Sequence, residues 1–184
     1  MENNILESNT PKKNIGMSYG LIAGLIIVVI TLMQYLGGID MFMSPVGYIS
    51  YLVVITMAVL AALKVRKENE GFLEFGQALK ITFTVFAVAL FLQTMFAYIL
   101  FNFIDIPFKE AVGVESLNKS EQMMKKFGMS DADIDKAIDE QRNVDPFSFG
   151  RILLGYGVTC IGAFVFCLLI SLIIRKSKPA FNNI

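Results

Sequence analysis

The chain has 184 residues, of which 55% are hydrophobic, and its 16 basic and 16 acidic side chains leave no net charge. That hydrophobic share exceeds the roughly 45–50% of ordinary soluble domains, and the lack of a basic field excludes nucleic acid as a partner. Histidine is absent, so the commonest general base and zinc ligand are missing, and we expect a membrane protein that is not an enzyme and uses no cofactor or metal.

Four apolar segments are long enough to cross a bilayer, because a hydrocarbon core of about 30 Å needs roughly 20 helical residues. They cover residues 16–36, 46–63, 81–104 and 152–174, and none contains an ionised side chain. These segments predict an all-α, polytopic protein with four transmembrane helices. The predicted parts are a cytoplasmic tail (1–15), transmembrane helices one to three (16–104) with a basic cytoplasmic connector (64–80), an extracytoplasmic insertion (105–150), transmembrane helix four (151–174) and a cytoplasmic tail (175–184).

The first segment carries a small-xxx-small series, Gly16, Gly20 and Gly24, which lets another backbone approach closely. We expect this series to pack within the chain, and its partner could be the fourth segment, where Gly155 and Gly162 leave similar room. The first segment of a second copy is the alternative, so a homo-oligomer stays open.

Polar side chains within the segments are few and not ionisable. Ionisable residues inside a membrane mark proton relays and ion pathways, so their absence argues against a pump or coupled transporter. Gln34 and Gln93 are expected to form hydrogen bonds between helices. A channel would need an oligomer with a polar pore lining, and the glutamines and nearby threonines are sparse for that role.

Basic residues flank the segments on one side, at positions 12–13, 64–80 and 175–178. The positive-inside rule therefore places both termini in the cytoplasm. Within the connector, Lys64, Arg66, Lys67 and Lys80 are also candidates for contact with anionic lipid head groups. The end of the connector, GFLEFGQALK, has apolar residues at helical spacing and predicts an elbow lying along the membrane surface.

The interval 105–150 is the only long hydrophilic stretch, and DADIDKAIDE within it begins like a calcium loop. The match ends at the sixth position, where Lys136 replaces the required glycine, and at the twelfth, where Arg142 replaces the bidentate glutamate. Ser130 followed by Asp133 instead forms a capping box. The stretch therefore predicts a capped helix and no metal site.

A second short helix is predicted from Ser120 as N-cap to Gly128 past the C-terminus, which makes the interval a helical hairpin. Its apolar side chains either pack against each other and the ends of the spans, or form a surface for a partner. Both interpretations stay open at this point. The candidate interaction surface comprises Met123, Met124, Phe127, Met129, Ile134 and Ile138.

The two ends of the interval carry similar phrases, IDIPF and VDPF. Proline delimits a helix, aspartate caps free amides and phenylalanine anchors at the membrane interface, so these phrases predict junction architecture. An acidic pair of Asp105 and Asp145 that binds a cation or cationic substrate is the alternative.

Several of these stretches together resemble the domain of unknown function 4199 family. They are the connector KVRKENEGFLEFGQALK, the aromatic stretch FAYILFNFID, the acidic outer interval and the last apolar segment. The resemblance covers residues 16–176. It implies a short four-helix protein of the inner membrane of Gram-negative bacteria, with no catalytic residue to carry over.

The function expected from these features is that of a non-enzymatic accessory or scaffold subunit that engages another membrane component. Either the outer hairpin or the basic connector would make the contact. The alternative is a lipid- or small-solute-handling protein, accessory to envelope polysaccharide or polyprenyl-phosphate chemistry. The expected partners are membrane lipids and a membrane protein or a second copy of the chain.

Overall fold

The computed structural model describes residues 14–142 and 144–177. The predicted all-α fold class is confirmed. Between the helices lie a 3-10 turn at Pro45–Tyr48 and a π-helical turn at Leu100–Ile104. The α-helices of the described residues are α1 (Ile15–Leu36), α2 (Gly38–Phe42), α3 (Ile49–Glu68), α4 (Phe75–Ile99), α5 (Ile106–Lys126), α6 (Asp131–Arg142) and α7 (Phe149–Ile174).

Four helical stretches are long and apolar enough to cross a membrane, which confirms the predicted number of spans. They are Ile15–Leu36, Gly38–Glu68, Phe75–Ile104 and Phe149–Ile174. The basic residues predicted to flank the spans at positions 12, 13 and 178 lie outside the described residues, as does most of each predicted tail.

The connector between the second and third spans is shorter than the sequence predicts. α3 continues to Glu68 and α4 already begins at Phe75, so only residues 69–74 lie between them. Within the connector, Leu73 pairs in antiparallel fashion with Lys176, with N···O distances of 2.9 and 2.8 Å, and the surface elbow stays a prediction. This backbone pairing holds the connector against the end of α7. We call this end of the bundle the connector end.

α4 lies at the centre of the bundle, where it contacts α1, α3 and α7. The glycine series of α1 packs against α4: a Cβ atom on Gly20 would lie 2.8 Å from Val88 Cβ, and one on Gly24 would lie 2.6 Å from Leu92 Cδ1. Gly16 faces the same helix. The series thus packs within the chain, but the suggested partner, the fourth span, is wrong. α1 does not contact α7 within the described residues, because α4 stands between them.

Gln34 near the end of α1 is buried, with 5% of its surface exposed. Its Nε2 atom has no hydrogen-bond partner among the described residues, so the expected interhelical hydrogen bond is wrong for this side chain. The amide lies beside Gly47: a Cβ atom there would lie 3.5 Å from Nε2. Gln93 is half-buried on α4.

The interval after the third span holds two helices, α5 and α6, which pack against each other. The short helix predicted to begin at Ser120 is wrong, because α5 is continuous over 21 residues from Ile106. Its beginning is set by Asp105, whose Oδ1 atom accepts a hydrogen bond from the Phe108 amide at 2.9 Å. Pro107 in the first turn has the backbone torsion that a helix start requires. We call the end of the bundle beneath α5 the junction end.

α6 begins at Asp131 behind the predicted capping box. The Asp133 amide donates to Ser130 Oγ at 3.3 Å, and the Ser130 hydroxyl donates to the Asp133 carboxylate at 2.6 Å. The capped helix is thus confirmed. In the described part of the chain no group of three acidic or cysteine side chains is arranged to hold a metal ion.

Candidate functional site

A polar network fastens α4, α5 and the start of α7 to one another at the junction end. Lys109 Nζ in α5 lies 2.6 Å from Asp145 Oδ2 and 3.2 Å from Asn102 Oδ1. Asn102 Nδ2 in turn donates to the Phe147 carbonyl at 3.0 Å. The hydrogen bond from Lys109 holds the pKa of the Asp145 carboxyl below its usual value. This network sets where α7 starts relative to α4.

The second junction carboxylate, Asp105, is engaged separately. Its Oδ2 atom accepts a hydrogen bond from the Tyr35 hydroxyl at 2.8 Å while Oδ1 caps α5. Around it, aromatic rings meet edge to face, with Tyr35 and Phe108 at 4.9 Å and Phe42 and Phe108 at 5.4 Å between centroids. Asp105 and Asp145 therefore both contribute to the junction, which is the architecture that the two phrases predict, and the charge of Asp145 is paired with Lys109.

A wide cavity of about 920 Å³ lies between α5, α6 and the start of α7. Its floor is apolar, with Val114, Leu117 and Leu154, and charged side chains such as Glu110 and Arg142 stand around it. Its volume is within the range of about 300–1,000 Å³ that small-molecule sites occupy. The sequence alone did not indicate this cavity, because three separate elements contribute to it.

A narrower groove of about 330 Å³ opens between α3, α4 and α7 in the half of the spans nearest the junction end. α3 and α7 pack together towards the connector end, through Ala58 and Cys167 in one cluster and Ala62 and Ile174 in another. Further towards the junction end, Tyr51 of α3 and the first turns of α7 line opposite walls. The groove results from this separation of the two helices.

Arg151, in the first turn of α7, lines both the cavity and the groove. Its side chain is exposed, and it makes no hydrogen bond or ion pair with another described residue. The other cations near it are engaged, Lys109 with Asp145 and Arg142 with Asp139 at 3.6 Å. Arg151 is therefore a free cation where two recesses meet.

Of the groove residues the sequence singled out Gln93 and its neighbouring threonine, but not the α7 side, although a signal exists. Gln93 and Thr94 lie one to two turns from Ala97 and Phe101 on one face of α4, and Ile152, Gly155, Tyr156 and Thr159 lie on one face of α7. Polar residues at helical spacing within apolar spans mark such faces. Only the packing of α4 against α7 shows that the two polar faces meet.

The six residues of the candidate interaction surface divide into two groups. Ile134 and Ile138 are buried, with 2% and 6% of their surfaces exposed, because they form the face of α6 that packs on α5. Their assignment to an open surface is wrong, and Met124 is half-buried. Met123, Phe127 and Met129 are exposed by 60%, 81% and 42%, and these three residues are called the apolar tip.

The four basic residues proposed for lipid head groups lie near the connector end, with different surroundings. Arg66 is half-buried and donates from Nε to the Gly71 carbonyl at 3.1 Å and from Nη1 to the Ile174 carbonyl at 3.5 Å. Its assignment as a head-group contact is not supported, because these bonds tie the connector to the end of α7. Lys64 lies 5.8 Å from the ring centroid of Tyr19, and Lys67 and Lys80 are exposed.

Comparisons with curated proteins and with solved structures give no match. The family resemblance that the connector and the aromatic stretch indicate is confirmed. A family model described as protein of unknown function (DUF4199) matches residues 18–176, nearly the whole helical bundle, and the chain therefore belongs to this family.

Proposed function

We propose that this protein is a non-enzymatic accessory subunit of the bacterial inner membrane, and that it binds another membrane protein through the apolar tip. In this proposal both termini are cytoplasmic and α5 and α6 lie outside the cytoplasm. The observation that carries the proposal is the exposure of Met123, Phe127 and Met129 on a rigidly held extension.

The extension is held in place along the length of α5. Asp105 caps its first turn at the end of the third span, and Lys119 Nζ donates to the Met43 carbonyl at 2.7 Å after α2. α5 is therefore fastened to the bundle both at its first turn and at Lys119. Ile134 and Ile138 already join α6 to α5, so the side chains of the tip are not needed to hold the two helices together.

Exposed apolar side chains that cluster outside a protein core are typical of interaction surfaces. Methionine suits such a surface because its flexible side chain adapts to the shape of a partner. Of the two neighbouring lysines, Lys125 is paired with Glu121 at 2.7 Å and Lys126 is exposed, so the tip is bordered by polar side chains.

The experiment is affinity purification of the tagged full chain from native membranes in mild detergent, followed by proteomics. The variant combines Met123→Ser with Phe127→Ser and leaves the buried Ile134 intact. The matched control is Val114→Ser, since Val114 lies on the same helix and is 59% exposed, close to the 60% of Met123.

A membrane protein that is recovered with the wild type and the control but lost from the tip variant supports the proposal. Recovery of the same companion with the tip variant contradicts it. A wild-type chain that is recovered alone, or only with further copies of itself, also contradicts it.

A further inference from the structure

The groove between α3, α4 and α7 combines a polar wall with an unpaired cation at its mouth. Gln93 and Thr94 of α4 face Tyr156 and Thr159 of α7 across it. Among the residues that line it in the described structure, Arg151 alone carries a full charge. The groove therefore combines one exposed positive charge with a mainly apolar lining.

We propose that this groove binds one anionic phospholipid, with the lipid phosphate at Arg151 and one acyl chain lying along α7 past Gly155. This inference is independent of the partner role, because no residue of the apolar tip lines the groove. It also places specific lipid contact at the junction end, opposite the basic connector.

The guanidinium group of Arg151 favours a phosphate as its ligand. The guanidinium group of arginine is planar, remains charged and donates two parallel hydrogen bonds to phosphate oxygens. Asp145 does not compensate Arg151, because its carboxylate is bound to Lys109 at 2.6 Å. A zwitterionic head group brings a positive charge of its own next to Arg151, so an anionic head group is favoured.

The size and lining of the groove suit a single acyl chain. The volume of about 330 Å³ lies at the lower limit for small-molecule sites. Gly155 has no atom within 4 Å of the position of a Cβ, which leaves a path for a chain along α7. The hydroxyl of Tyr156 already donates to the Ala87 carbonyl at 3.1 Å, so this part of the wall is preorganised.

The test is native mass spectrometry of the full chain in detergent, titrated with phosphatidylglycerol and, separately, with phosphatidylcholine of the same acyl chains. Arg151→Gln removes the charge, and Arg151→Lys keeps it without the planar donor pair. Gly155→Leu fills the groove from a position with open space around it. The matched controls are Arg175→Gln, at the other end of α7, and Gly162→Leu, which also meets open space but lies outside the groove.

We expect one phosphatidylglycerol to bind with a preference of about tenfold over phosphatidylcholine, as the loss of one charge-assisted contact implies. Arg151→Gln should remove this preference, Arg151→Lys should reduce it, and Gly155→Leu should weaken binding of both lipids. The two controls should behave like the wild type. Unchanged thermal unfolding of each variant in detergent shows that the loss concerns binding and not folding.

Three results would overturn the proposal. The control Arg175→Gln could weaken phosphatidylglycerol binding as much as Arg151→Gln does. That result would mean that only general attraction between charges operates. Glycerol phosphate could bind as tightly as the lipid, which would mean that the acyl chain of the lipid does not contact the groove. The wild type could be a dimer that Gly155→Leu dissociates. That result would mean that a second copy of the protein occupies the groove.

Discussion

Lys109 Nζ in α5 lies 2.6 Å from Asp145 Oδ2, in the segment that leads into α7. The two residues are 36 positions apart in the sequence, and Asn102 of the π-helical turn joins them through a contact of 3.2 Å to Lys109. The side chain of Lys109 is only 19% exposed. The pair is therefore part of the junction and not a surface ion pair of negligible effect.

Lys109→Met should lower the free energy of unfolding by about 1–2 kcal/mol, because Asp145 and Asn102 both lose their donor. The measurement is thermal unfolding in detergent, followed by circular dichroism. Glu121→Gln is the control, since its partner Lys125 is exposed by 55% and the pair joins neighbouring turns of one helix. If Glu121→Gln lowers the free energy of unfolding as much as Lys109→Met does, the structural role of the Lys109–Asp145 pair is contradicted.

The stabilisation by Asp145 should depend on pH. Its pKa is held below the ordinary value of 3.8 by the hydrogen bond from Lys109. The folded state therefore binds the proton less tightly than the unfolded state, so the contribution is complete above pH 3.8 and is lost as the pH falls through the lowered pKa. The difference in unfolding temperature between the wild type and Asp145→Asn should be present at pH 7 and shrink towards pH 3. A difference that stays constant over this range would show that charge is not its origin.

Gly20→Ala should destabilise the bundle by about 1–3 kcal/mol, because overpacking forces α1 away from α4. The added Cβ would lie 2.8 Å from Val88 Cβ. Gly162→Ala is the matched control in an exposed position with open space, and it should be neutral or stabilise by up to about 1 kcal/mol through helix propensity. Equal unfolding temperatures of the two variants would contradict the close approach of α1 and α4.

Ile134→Ala should loosen α6 from α5 at a cost of about 2–5 kcal/mol for a buried isoleucine. Phe127→Ala should change stability by no more than about 0.5 kcal/mol, because the phenylalanine is 81% exposed. The measurement is the rate of limited proteolysis within residues 127–148. Faster cleavage of the Phe127 variant than of the Ile134 variant would reverse the assignment of buried and exposed faces.

Gln34→Leu should raise the unfolding temperature. An unsatisfied buried amide costs about 1–3 kcal/mol, and Gln34 Nε2 has no partner among the described residues. Leucine has a similar volume and no polar group to satisfy. A lower unfolding temperature of Gln34→Leu would mean that the amide binds a water molecule or a partner in the membrane.

The local features of the chain could be predicted because they depend on residues close together in the sequence. The four spans follow from the length of apolar segments, and the start of α6 follows from the capping of Asp133 by Ser130. The length of α5 was missed, because its polar middle part gives no hydrophobic signal. Contacts to Val112 and Lys119 from other elements stabilise it there.

The candidate sites depended much more on partners that are distant in the sequence. Periodicity placed Ile134 and Phe127 on one apolar surface, but the packing of α6 on α5 buries the first and leaves the second exposed. The connector sequence suggested four equivalent cations. In the structure Arg66 differs from the others, because it donates to the backbone carbonyls of Gly71 in the connector and Ile174 at the end of α7. Sequence patterns assign a residue to a face, and they do not identify what that face contacts.

By itself the sequence determined that this chain is helical, that four of its segments suit a membrane and that it belongs to the DUF4199 family. The helical character and the four segments follow from hydrophobicity and capping, which act over one or two helical turns. Only the tertiary structure decided that α4 receives the glycines of α1, and that Arg151 stands free above a groove. Those results depend on how helices pack, because many side chains from distant segments jointly determine which faces meet.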